Sequence, residues 1–115
     1  MSRKILYSPG FGAGWVSWEG NPEIQKFMLT YQPIIDFLEG GGNFKLAETD
    51  NANAEEKLHP ILAQFARECQ EKFGSVPYLG GARDLMVATV DGDIKIDEYD
   101  GSESIVYRYD TEGWM

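Results

Sequence analysis

Thiols and imidazoles are nearly missing from this chain: among 115 residues there is one cysteine, Cys69, and one histidine, His59. A lone thiol cannot close an internal disulfide, and one Cys with one His is too small a ligand set for zinc. No Ser or Cys nucleophile motif accompanies His59, so no assembled nucleophile and base is present and no catalytic residue is expected. Basic residues are scarce as well, 10 against 19 acidic ones, for a net charge of −9. The basic stripe that meets nucleic-acid phosphates is missing, which argues against direct nucleic-acid binding. No apolar run approaches the ~20 residues that a membrane-spanning helix needs. Ser2-Arg3-Lys4 leads into a short strand-like run rather than a signal h-region. The expectation is a soluble, cytoplasmic, single domain over residues 1–115, without cofactor, metal or membrane contact.

What the chain does have is turn chemistry. Asp91-Gly92 and Asp100-Gly101 each supply residues that tolerate positive φ, as a two-residue hairpin turn between twisted strands demands. They divide residues 85–108 into three strand-like runs, which predicts a C-terminal three-stranded meander. In the middle run the period-2 pattern places Ile94 and Ile96 on the core face together with Glu98, and Asp93, Lys95, Asp97 and Tyr99 on the other. Cys69 falls in the most regular helical pattern, Leu58, Ile61, Leu62, Phe65, Cys69 and Phe73, and reads as a buried structural thiol; Gly74 stops that helix, and Pro60 marks where its regular part begins. Asn21-Pro22-Glu23 starts an earlier helix that Gly40-Gly41-Gly42 ends, with Pro33 kinking or breaking it. A short strand at 4–7 precedes both. The resulting class is α+β, a two-layer arrangement of an antiparallel sheet, with its C-terminal meander, packed against two helices.

Two glycine-rich connections are the candidate sites for chemistry. Gly10-Phe11-Gly12-Ala13-Gly14-Trp15-Val16-Ser17-Trp18 mixes three glycines with three large aromatics. Its spacing fits neither the dinucleotide fingerprint nor a P-loop. Its rings suit either a core or a surface that stacks on a flat ligand. Gly80-Gly81-Ala82-Arg83-Asp84 places a planar cation after two glycines, where it can meet an anion or pair with a neighbouring carboxylate. Residues 91–115 carry eight acids against Lys95 and Arg108, which reads as a solvated sheet edge or as a face for a basic partner. Glycine in second rather than sixth position rules out a calcium loop from Asp91 onward. Asp97 and Glu98, adjacent on a strand, point to opposite faces and cannot form a carboxylate pair.

Tyr7-Ser8-Pro9-Gly10-Phe11-Gly12-Ala13-Gly14-Trp15, Pro77-Tyr78-Leu79-Gly80-Gly81-Ala82-Arg83 and Ile96-Asp97-Glu98-Tyr99-Asp100-Gly101-Ser102-Glu103-Ser104 resemble segments of a group of small, functionally uncharacterised proteins encoded by tailed bacteriophages. The resemblance implies a phage accessory product acting in the host bacterial cytoplasm. By analogy such a product counters host defence, either by holding a nucleotide signal or by blocking a host protein. Two readings follow. In the first, the chain is a non-enzymatic binder that sequesters a small nucleotide-like ligand: Phe11 and Trp15 stack on a base, Arg83 meets a phosphate, and the strand ends near Glu98, Asp100 and Glu103 accept from ribose hydroxyls. In the second, the acidic meander docks on a basic, nucleic-acid-binding surface of a host defence protein. Tyr99, Tyr107 and Tyr109 on the outer face suit a homo-oligomer.

Overall fold

The computed structural model describes residues 2–10, 14–45 and 59–107. The fold is α+β, with two antiparallel strand pairs and helical segments packed on them. Strand β1 (Ser2–Tyr7) buries Ile5 and Leu6. It pairs with β2 (Met86–Asp91), in register from Ser2 opposite Asp91 to Tyr7 opposite Met86.

Helix α1 (Pro22–Leu29) begins as its sequence dictates. Asn21 Oδ1 accepts from the amides of Glu23 (2.9 Å) and Ile24 (3.4 Å), and Pro22 occupies the first turn, where no amide is needed. Pro33 breaks the helical run rather than kinking it. The chain leaves the helix at Thr30, and Pro33 becomes part of the first turn of α2 (Gln32–Glu39). The missing proline N–H costs nothing there, whereas inside one continuous helix it would orphan a carbonyl four residues back. Gly41, at φ 97°, closes α2 in a Schellman arrangement: the amide of Gly42 donates to Phe37 O and that of Gly41 to Leu38 O.

Helix α3 (Pro60–Phe73) is capped by His59, whose Nδ1 accepts from the Ile61 amide at 3.2 Å. The histidine ring also packs against Phe37 and Phe44, so the single imidazole is a structural cap. The helix buries Leu62, Phe65 and Cys69, as the spacing predicted, together with Ala63 and Ala66, leaves Ile61 and Phe73 partly buried, and ends on Gly74 at φ 74°. Leu58 and the polar stretch before it lie outside the described residues.

The three C-terminal strands lie where the turns predicted them, but they are shared between two ladders. β3 (Ile94–Tyr99) and β4 (Ser102–Tyr107) form a hairpin in which Asp100 (φ 52°) and Gly101 (φ 85°) both take positive φ, the signature of a type I′ turn. At the first Asp-Gly pair only Gly92 does so, at φ 70°. Asp91-Gly92 is therefore a corner that hands the chain from the β1–β2 pair to the β3–β4 pair. Ile94 and Ile96 face inward as alternation required, whereas Glu98, assigned to the same face, is exposed near the strand end; one contiguous core joins the two isoleucines to Trp15, Phe65, Leu79 and Ile34.

Candidate functional site

Glu103 is the organising residue of the region where the three singled-out segments meet. Only 2% exposed, it stands at the start of β4. Its Oε1 accepts from the Ser8 amide (2.8 Å), and its Oε2 accepts from the amides of Trp15 (2.8 Å) and Ser17 (2.7 Å) and from Ser17 Oγ (2.7 Å). Its own amide donates to Ser8 O at 2.7 Å, and the neighbouring Ser102 Oγ donates to Pro9 O at 2.6 Å. A buried carboxylate is tolerable only when donors replace its water, and here two oxygens collect four. The loop entering from β1 is thus wrapped around one side chain contributed from the far end of the chain.

Glycine lets the second segment close on this latch. A Cβ at Gly81 would lie 2.3 Å from the carbonyl oxygen of Gly14 and 2.9 Å from the Trp15 nitrogen, so the two glycine-rich segments touch backbone to backbone. On either side of that contact an aromatic ring lies over a glycine. Trp18 covers Gly14 and Tyr78 covers Gly80 closely enough that an added Cβ would fall within 2.7 Å of either ring. The two rings stack on each other with centroids 5.4 Å apart and planes 25° off parallel. They are 46% and 45% exposed, an unusual position for two large stacked rings. Glu98 Oε1 lies 3.5 Å from Trp18 Nε1 and accepts the Gly101 amide at 2.5 Å. Asp97, Glu98 and Asp100 all face solvent, as do Asp91 and Asp93, with Lys95 the one base among them on β3; Tyr99 is 79% exposed.

This geometry redistributes the residues expected to bind a ligand. Trp15 cannot stack on a base: it is fully buried against Phe65 (5.4 Å), and its Nε1 donates to Met28 O at 2.9 Å. Glu103 cannot serve ribose hydroxyls, because both oxygens already accept from the protein. Phe11 lies outside the described residues. Glu98 and Asp100 are exposed at the hairpin end, Glu98 beside the aromatic pair. Arg83, also exposed, lines a separate groove of about 280 Å³ together with Pro9, Gly10, Asn43, Lys45, Asp84, Leu85 and Met86. Sequence reasoning missed the pair Trp18–Tyr78, although each ring stands four or two residues from a glycine it covers.

Among the described residues two titrating groups are displaced, both in the core. Burial first, then the neighbouring charge of Glu68, pushes the Cys69 thiol up to about 12. Burial and its hydrogen bond to the Glu68 carboxylate push the Tyr31 phenol up as well. Neither lies in the region of the exposed pair. Among the described residues no group of three His, Cys, Asp or Glu side chains is placed to hold a metal ion, and no helix is long and apolar enough to cross a membrane. Comparison with known proteins finds no matching family model, no matching curated protein and no matching solved structure.

Proposed function

We propose that this chain is a non-enzymatic binding protein whose acidic β3–β4 hairpin docks on a basic protein surface. One observation carries the reading: the exposed acid Glu98 touches an exposed pair of stacked aromatics, on a hairpin that also exposes Asp97 and Asp100. Stable interfaces combine buried aromatic anchors with charge complementarity, and aromatic side chains are enriched at their centres. The net charge of −9 steers a cationic partner toward this face and a phosphate away from it. Together with the resemblance to tailed-phage proteins, this supports an accessory, counter-defence role in the host cytoplasm, blocking the nucleic-acid-binding surface of a host protein. The test is affinity capture from bacterial cytosol with the wild-type chain and with an Asp97→Lys/Asp100→Asn variant. The reading expects a basic protein that elutes with salt and is lost with the variant; a partner held equally by both contradicts it.

A nucleotide-like ligand is the second reading, and one observation favours it. Arg83 and Lys45 line the same groove, which has room for a small anion, although Asp84 in that groove opposes one. Nucleotides and cyclic oligonucleotides should then raise the melting temperature, and Arg83→Ala should remove the shift. No shift with any of them rejects this reading.

A further inference from the structure

We propose that the Trp18–Tyr78 pair is an arginine anchor, a platform on which a guanidinium of the partner lies while Glu98 accepts its N–H groups; this rests on the acidic-face reading above. Glu98 Oε1 lies at the indole edge, 3.5 Å from Trp18 Nε1, and takes the Gly101 amide. Its second oxygen has no partner among the described residues and is left for an incoming donor. A planar cation on the ring face therefore gains the ring quadrupole and a carboxylate in one place. Arginine suits this arrangement better than lysine, because its flat, weakly hydrated fork can stack and donate together, whereas an ammonium keeps its water. A nucleobase would stack on the same rings, but its phosphates would meet Glu98 in a strongly acidic hairpin. The glycines beneath hold the platform flat: any side chain at Gly14 or Gly80 would displace the ring above it.

The experiment titrates nona-arginine and nona-lysine peptides into the full chain at low salt by calorimetry, for wild type, Trp18→Ala and Tyr78→Ala. The arginine peptide should bind the wild type roughly two- to fivefold more tightly, the range of an exposed cation–π contact. Trp18→Ala and Tyr78→Ala should each reduce that preference while leaving lysine-peptide affinity within about twofold, since the charges are intact. Equal affinities in the wild type, or a preference that survives both substitutions, overturn the arginine anchor and leave the acidic face standing. Failure of both peptides to bind the wild type overturns both.

Discussion

Glu103 Oε2 accepts the backbone amide of Trp15 at 2.8 Å, across 88 positions of sequence. That bond and its three companions explain why an acid sits in the interior of a protein already overloaded with negative charge. It is the acceptor around which the loop after β1 is shaped.

Removing that acceptor should be severe. Glu103→Ala strands three backbone N–H groups at about 1–3 kcal/mol each, so a loss of roughly 3–9 kcal/mol is expected. That is comparable with the whole stability of an ordinary domain, about 5–15 kcal/mol. Glu103→Gln should be milder, because one oxygen still accepts while its NH₂ faces a donor. Urea unfolding should order the midpoints wild type, Gln, Ala.

The backbone contact between the glycine-rich segments predicts a sharp positional contrast. Gly81→Ala forces the Gly14 carbonyl away and should cost about 1–3 kcal/mol, as overpacking does. Gly20→Ala meets nothing within 4 Å. It should be neutral or stabilising by up to about 1 kcal/mol, through the unfolded chain. Thermal melts of the two variants separate close packing from mere flexibility.

His59 should behave as a cap and not as a catalyst. His59→Ala should cost about 1 kcal/mol in lost capping, plus ring packing against Phe37 and Phe44. His59→Asn should recover the capping part, because its side-chain oxygen can accept the same amide. Circular dichroism during denaturation checks both.

Cys69 and Tyr31 predict alkaline fragility. Both hold their protons more tightly folded than unfolded, so the unfolded state releases them first as pH rises. For Cys69 the stabilisation is fully present below pH 9 and is lost as pH climbs toward about 12, with Tyr31 adding in the same direction. Urea midpoints should fall steadily over that window. At neutral pH the buried thiol should resist alkylation until the chain is unfolded.

Much of this arrangement is legible in the chain. Asn21-Pro22, Pro60, Gly74 and Asp100-Gly101 act locally, through caps, missing donors and positive φ, and the structure places each as its chemistry requires. Which of two similar residues faces inward is a tertiary matter. Trp15 and Trp18 are three positions apart in one loop, and only packing decides that the first fills the core and the second lies over Gly14. For the acids a signal was present. Glu103 is two residues from Ile105, and the register sets Ile105 opposite the inward Ile96 and Glu103 opposite Glu98. With that register, alternation puts Glu98 and Glu103 on the same face as Ile96, and of the two only Glu103 is buried, where a carboxylate must find donors. The donors themselves lie on a loop nearly a chain length away, which no local pattern reveals. The Asp91-Gly92 corner escaped for a related reason, since β2 is claimed by β1 through non-local pairing.

Glu103 also decides how the acidic face must be probed. Reversing it would unfold the latch, so the surface is tested at Asp97, with Asp100 changed to Asn because that position needs a residue tolerant of positive φ. The most direct measurement is the salt dependence of affinity between the purified chain and the basic protein it captures, for wild type and for Asp97→Lys/Asp100→Asn. The account expects wild-type affinity to fall steeply as salt rises past the range where the Debye length shrinks below about 10 Å, with the variant weak at every salt concentration. Affinity that is indifferent to salt, or equal in the two proteins, would contradict it.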